Sequence, residues 1–411
     1  MSSLERNLVR KEFNRLTPRP LGPLSRSSGP RCKRDFKPIS YKSYFDEHVD
    51  IKIPESEDTF RVYVSGFQAN PSDSLLLVLL HGGGYSGLTW SLFSKCVQEL
   101  CVCRIASIDL RGHGGTVTAD ESDMSSQTLA HDVGQVVKAL LDQTGHHDEL
   151  PPIVIVGHSM GGALAVHCTV LLQEILPTIV GMIVIDVVEG TALEALQSMQ
   201  SLLRGRPKSF ATLEKAIEWC LRSGQTKNLE AAKVSMPGQL KNLITSKLGA
   251  DEVDDSESDQ QASDDKPAPR RLFVSDDQIL EEAETNEEEK AEPVSSSRLD
   301  PPQSDISNSS VKDNEYSWRI DLSKTEPYWK GWFQGLSDLF LSSPVQGKLL
   351  LLAGIDSLDR QLTIGQMQGK FQMQVLPQVG HAVHEDSPEK VADAVATFLV
   401  RNRFTVAKNM F

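Results

Sequence analysis

The sequence predicts an α/β chain: a mostly parallel β-sheet flanked by helices, with a helical cap between the sixth and seventh strands. Three observations predict it. First, the runs "TFRVYVSG", "SLLLVLLHGGG", "CRIASIDLRGHG", "PIVIVGHS", "GMIVIDVVEG", "KLLLLAG" and "FQMQVLPQVGH" are short, strongly apolar and end in glycine or a polar residue. Near-continuous apolar runs of this kind belong to strands covered on both faces. Second, helical stretches separate most of them, such as Thr128 to Leu141, Gly161 to Leu176 and Pro388 to Arg401. Third, the glycine-rich motifs sit at the carboxyl ends of the runs, where a parallel sheet carries its functional groups.

In chain order, residues 1–40 ("RLTPRPLGPLSRSSGPRCKRDF") are rich in Pro, Arg, Ser and Gly, bury no core and are expected as a disordered basic tail. Its cluster Arg31, Lys33, Arg34 suits a weak nuclear signal or a merely solvated tail. Residues 41–189 make the first part of the core, with "SLLLVLL" as its third strand, and residues 346–411 the second part. The long interval between them is too large for one crossover helix. Residues 190–248 and 311–345 are expected to form the cap, with helix-like pieces "TLEKAIEWCLRSG" and "NLEAAKVSM" and the aromatic return "YSWRIDLSKTEPYWKGWFQGLSDLF". Residues 249–310 are expected to be an acidic, disordered insert, broken only by an apolar island at Leu272, Phe273, Val274, Ile279 and Leu280.

Charge and composition exclude several functions. The net charge of −14 resides in the insert, which holds 19 acidic against 5 basic residues, so the rest is balanced and is no nucleic-acid binder by charge. No apolar run reaches the roughly 18 residues of a membrane helix. "MSSLERNLVRKEF" is too charged for a signal peptide. A soluble, membrane-free, cytoplasmic and/or nuclear chain is the expectation. The six cysteines show no C-x-x-C spacing and lie mostly in apolar surroundings, which favours reduced core thiols over disulfides or zinc.

The chemistry centres on Gly157-His158-Ser159-Met160-Gly161, where an apolar run meets a small-residue helical pattern. A side chain held at the tip of a tight strand-to-helix turn has a strained backbone, and chain passing close by leaves no room for a Cβ at the flanking positions. Ser159 is therefore the candidate nucleophile. A serine hydroxyl needs a base at neutral pH, and among ten histidines His381 has the best context, between the last run and the final helix. His384 is its competitor, expected to face outward; His158 is expected only to fill its place in the turn, and His113 to hydrogen-bond a loop. "HGGG", His81 to Gly84, supplies preorganised amide donors for an oxyanion, with Gly83 and Met160 as the pair. It lacks the Lys-Ser/Thr of a phosphate-binding loop. For the acid that orients the histidine, Asp356 and Asp359 follow "KLLLLAG" and Asp186 ends "IVID"; spacing alone favours Asp356.

Elbow, HGGG and late histidine together resemble an α/β-hydrolase, and the chain closely resembles the eukaryotic protein phosphatase methylesterases. The segments that carry this are "DLRGHGGT", "VIVGHSMGGALAVH", "IDVVEGTA", "LRGRPKSF", "WRIDLSKTE", "YWKGWFQGLS" and "LTIGQMQGKFQMQVLPQVGHAVHEDSPEKVADAVATFL", over residues 36–248 and 311–403. The resemblance implies a serine esterase that demethylates the carboxyl-terminal leucine of the protein phosphatase 2A catalytic subunit, without cofactor or metal. It maps the triad onto Ser159, Asp186 and His381, against the spacing preference. It implies the phosphatase and its holoenzymes as partners, bound by cap and loops. A phosphatase-binding inhibitor with secondary catalysis and a small-molecule esterase or lipase are the alternatives; Arg204, Arg206 and Lys208 in the cap suit an acidic peptide or a solvated face.

Overall fold

The computed structural model describes residues 34–408 apart from residues 55, 72, 146–148, 265–314 and 355–357. The core is an eight-stranded sheet built from β1 (Glu47–Lys52), β2 (Thr59–Ser65), β3 (Leu76–Leu80), β4 (Arg104–Ile108), β5 (Ile153–His158) and β6 (Ile179–Ile185), completed after the cap. The cap carries β7 (Ser209–Phe210), β8 (Leu240–Asn242) and β9 (Tyr316–Trp318), and the main sheet resumes with β10 (Gly347–Leu352) and β11 (Gln372–Val375). The main sheet runs β1-β2-β4-β3-β5-β6-β10-β11. Only β2 pairs antiparallel, with β1 and β4, and the other pairs are parallel.

Strand β3 shows why the apolar runs do not alternate. Leu76, Val78 and Leu80 pack in one layer with Val133 and Leu164, from the helices Ser126–Gln143 and Met160–Leu171. Leu77 and Leu79 pack in the other with Phe93 and Phe398, from the helices Ser91–Leu100 and Pro388–Arg401. Each fully buried side chain contributes roughly 1.5–3 kcal/mol, so a charge at Val78 would break the sheet at its centre. The strand that no apolar run announces is β1. "EHVDIK" is a half-wet edge, held to β2 by its ladder and by Asp50 on Arg61 at 2.9 Å.

The cap lies between the sixth and seventh strands of the main sheet, as expected, and is mostly helical. Besides the helices Glu189–Arg204, Leu213–Ser223, Leu229–Ser235, Glu326–Phe333 and Leu336–Ser342, it holds a three-stranded antiparallel sheet, β7-β9-β8. These strands are two or three residues long, too short for any periodicity to reveal. Their aromatic residues Phe210 and Trp318 cluster with Trp219.

Two expected boundaries shift. The insert is expected from Gly249, yet Gly249–Asp264 is a helix whose start docks on the core. Val253 is buried, Asp251 meets Arg61, Glu252 accepts from Tyr316 Oη at 2.6 Å, and Ser40 Oγ donates to Asp254. Composition misled because these acids find partners supplied from distant segments. The rest of the insert, with its apolar island, lies outside the described residues. At the other end residues 34–40 are placed, the Ile39 amide donating to the Lys233 carbonyl at 3.1 Å; residues 1–33 are outside the description. Cys96, Cys101, Cys103, Cys168 and Cys220 are free thiols. Among the described residues no helix is long and apolar enough to cross a membrane, and no His/Cys/Asp/Glu group is arranged to hold a metal.

Candidate active site

Strand β5 ends at His158 and the next helix starts at Met160, leaving Ser159 alone between them at φ 54°, ψ −120°. A side chain in that region is strained and persists only where its surroundings over-determine it. Here they do. The Ser159 amide donates to the Ile185 carbonyl at 3.0 Å, and its carbonyl accepts from the Ala163 amide at 3.1 Å. A Cβ at Gly157 would stand 2.0 Å from the Gly161 carbonyl oxygen, and one at Gly161 2.2 Å from that of Leu80. Both glycines are therefore obligatory for close backbone approach.

His381 arrives from the loop after β11. Its Nε2 is 3.0 Å from Ser159 Oγ and its Nδ1 2.8 Å from Asp186 Oδ2. Asp186 ends β6 at φ 53°, its amide tied to the Leu351 carbonyl at 2.8 Å and its Oδ1 accepting from the Ala353 amide at 2.9 Å. Burial raises the pKa of this carboxyl, but the hydrogen bond and charge of His381 and the Ala353 amide outweigh it and hold the group below its usual value. An ionised Asp186 keeps the proton on Nδ1 and leaves the Nε2 lone pair facing the serine. The His381 side chain is 55% exposed against 16% for Asp186, so the ring opens to the site while its anchor does not. Asp356 lies outside the described residues, and Asp359 is committed elsewhere, capping the helix Arg360–Met367 through Leu362 N at 2.8 Å.

The other histidines hold this arrangement. His384, expected to face outward, is fully buried: its ring stacks 4.2 Å from Trp90 and its Nε2 is 2.9 Å from Thr89 Oγ1. Burial drives its pKa down to about 3, which keeps it neutral. Val383–Asp386 is a single helical turn that carries His384 inward, onto Trp90 and Thr89. His158 does more than fill a place, since its Nε2 donates to the His381 carbonyl at 2.9 Å. His113 accepts from the Gly84 amide at 3.0 Å, and His81 accepts from the Leu110 amide at 3.0 Å; burial holds both below the ordinary imidazole pKa.

Those two histidines shape the glycine turn. The Gly84 amide is occupied, whereas among the described residues the Gly82 and Gly83 amides have no acceptor. A Cβ at Gly82 would lie 3.3 Å from Ser159 Cβ, so the turn runs against the nucleophile. Met160 opens its helix, where amides have no intrahelical acceptor. A cavity of about 290 Å³ adjoins Ser159 and His381, walled by Val187, Ala192, Leu196, Met199 and Phe333. Its apolar wall comes mainly from the helix Glu189–Arg204, which has no fully buried residue of its own and lies over the strand ends.

The model of the alpha/beta hydrolase family matches residues 77–394. Protein phosphatase methylesterase 1 of Bos taurus is 48% identical over 98% of this chain and 98% of its own length, and that of Homo sapiens 48% identical over 98% and 96%. The protein of that name from Schizosaccharomyces pombe is 34% identical over 88% of the chain and 85% of its own. The chain belongs to the protein phosphatase methylesterase family of α/β-hydrolases. It is a hydrolase of the esterase class. Among solved structures, E-2-(acetamidomethylene)succinate hydrolase superposes with a TM-score of 0.55 at 13% identity, covering 86% of this chain and all of the other. An esterase of M. tuberculosis superposes at 0.52 with 14% identity, over 86% of this chain and 92% of its own. At such identities the likeness extends to the fold alone.

Several residues of this methylesterase-family site carry no sequence signal. Ala353 acts through its backbone, and Thr89 and Glu385 form a buried pair, Thr89 Oγ1 to Glu385 Oε1 at 2.6 Å. Leu322, in the stretch "WRIDLSKTE", packs over Gly83 and Gly84. Of the cap cations Arg204 and Lys208 are exposed, whereas Arg206 is largely covered by the rings of Trp318 and Trp219.

Proposed function

We propose that this chain is a serine esterase that removes the methyl ester from the carboxyl-terminal leucine of the protein phosphatase 2A catalytic subunit, acting through Ser159, His381 and Asp186. One observation carries it: the unbroken relay from Ser159 Oγ to His381 Nε2 at 3.0 Å and from His381 Nδ1 to Asp186 Oδ2 at 2.8 Å. The names of the relatives support a protein phosphatase as the substrate, and the resemblance of the sequence to that family is what suggests the leucine methyl ester of phosphatase 2A. In the first step His381 takes the Ser159 proton as Oγ attacks the ester carbonyl, and the oxyanion accepts from the Gly83 and Met160 amides. As the tetrahedral species collapses, His381 returns the proton to the methoxide and methanol leaves. Water, deprotonated by the same His381, then cleaves the acyl-serine and releases the leucine carboxylate. The apolar cavity suits a leucine side chain, and methanol needs no pocket of its own. A cytoplasmic and/or nuclear site of action is part of this proposal.

The test is methanol release from the carboxymethylated phosphatase 2A catalytic subunit. Release by the wild-type chain supports the function. Hydrolysis of p-nitrophenyl acetate without any release from the methylated subunit would leave an esterase with a different substrate.

A further inference from the structure

Arg206 is half-buried in the cap, and among the described residues its guanidinium has no carboxylate partner there. Its guanidinium stacks 3.9 Å above the Trp318 ring and 5.9 Å from that of Trp219, and Trp318 is itself fixed by its indole N–H on the Pro207 carbonyl at 2.7 Å. Its one hydrogen bond is a long one, 3.4 Å to Gln225 Oε1. Among the described residues no carboxylate forms an ion pair with it. Burial lowers its pKa, the signature of a guanidinium stripped of water without a counter-charge. Two aromatic faces hold the fork in one orientation but satisfy few of its five N–H donors.

What the guanidinium faces is a second cavity, about 390 Å³, bordered also by Lys208, Ser317, Asp321 and Leu322. Asp321 is turned to its own helix start, accepting from the Ser323 amide at 3.1 Å and the Ser323 hydroxyl at 2.6 Å. The two cations outnumber it. This cavity adjoins the reaction centre through the glycine turn. Arg206 Nη1 lies 3.8 Å from the position of a Cβ on Gly84, Leu322 covers Gly83 and Gly84, and Gly82 abuts Ser159. Two residues of chain span at most about 7 Å, so guanidinium and nucleophile are within about 19 Å, a gap an extended peptide crosses in about five or six residues.

We infer that Arg206 is the anion subsite of this enzyme: it receives the carboxylate of an acidic side chain a few residues before the methyl-esterified terminus of the substrate. The subsite presupposes the methylesterase function proposed above. A planar fork stacked on an indole is preorganised for bidentate carboxylate recognition, which a lysine does not reproduce. The esterified end carries no charge, so an anchor on the preceding segment is how the site selects an acidic peptide tail over other methyl esters.

The experiment is a set of neutral hexapeptides ending in leucine methyl ester, with a single glutamate moved through the five preceding positions, each matched by its glutamine isostere. Wild-type enzyme is expected to favour glutamate over glutamine by about 10-fold or more in kcat/KM at one position, the worth of a charge-assisted hydrogen bond. In Arg206→Met that ratio is expected to fall to near one, and Arg206→Lys to recover it only in part. The wild-type comparison needs no variant, so a misfolded mutant does not rescue the idea. Peptide esters hydrolysed with no glutamate preference anywhere, or a preference that survives Arg206→Met, would overturn the subsite while leaving the esterase function standing. Failure to hydrolyse any peptide ester or the methylated phosphatase subunit, with p-nitrophenyl acetate still turned over, would overturn both.

Discussion

Asp186→Asn tests the relay most sharply, because the structure dictates how the amide must sit. Asp186 Oδ1 accepts from the Ala353 amide at 2.9 Å, and Oδ2 faces His381 Nδ1 at 2.8 Å. An asparagine has one oxygen and one NH₂. Placing its oxygen on the Ala353 amide aims the NH₂ at His381, and the opposite placement sets two donors against each other at Ala353. The first is favoured, so Nδ1 must become the acceptor and the ring proton moves to Nε2. Such a tautomer presents N–H to Ser159 and takes no proton from it. The loss on the scale of triad acids is about 10⁴ in kcat, or about 5.5 kcal/mol of transition-state stabilisation. The assay is kcat for p-nitrophenyl acetate and for the methylated phosphatase subunit, with circular dichroism to confirm folding. A kcat within about tenfold of wild type would refute the role of Asp186, and an Asp356→Asn variant that is dead instead would restore the strand-spacing argument.

Other outcomes follow from the buried groups and the insert. Burial pushes the Glu385 pKa from its ordinary 4.5 up to about 7, so its contribution to stability is present below 4.5 and lost as pH rises through 7. Glu385→Gln should therefore melt higher relative to wild type at pH 8 than at pH 5, and an equal difference at both would show that Glu385 does not titrate there. Burial lowers the pKa of His384 to about 3 and of His113 to about 4, so protonation of the unfolded chain below pH 6.5 should drain stability down to pH 4. Urea unfolding free energies that stay level across that window, after allowing for the opposing Glu385, would contradict this. Deleting residues 265–310 should spare p-nitrophenyl acetate hydrolysis, whereas deleting residues 249–310 should lower the melting temperature by removing Val253 and the partners of Arg61 and Tyr316. Equal melting temperatures for the two deletions would show that the helix from Gly249 contributes nothing.

Much of the site was legible because its parts are local. The paired glycines around Ser159 record a backbone approach of about one atom's width, and no other residue type fits, so the motif is visible in five letters. His381 is visible from its place between the last strand and the last helix. Asp186 against Asp356 was not decidable from spacing, because it depends on which strand end lies beside the histidine loop, a matter of tertiary registry: β6 sits between β5 and β10. His384 was misplaced for a related reason. Three residues beyond His381, it sits on a single helical turn that packs it on Trp90, almost three hundred positions away in sequence. The apolar strands were legible wherever both faces are covered, and β1 was missed where one edge is wet. The cap strands are held by Trp219, Trp318 and Phe210 from separate segments, and the acidic helix by Arg61, Ser40 and Tyr316, none of which a window along the chain can see.

The central claim, that Ser159 demethylates the phosphatase, is met most directly by comparing wild type with Ser159→Ala on the carboxymethylated phosphatase 2A catalytic subunit. Methanol release and capture of the subunit are measured together. Without the nucleophile the rate should fall by about 10³ or more, while capture persists, because the rest of the site and the cap are unchanged. Methanol release by Ser159→Ala at a rate near wild type would contradict the account.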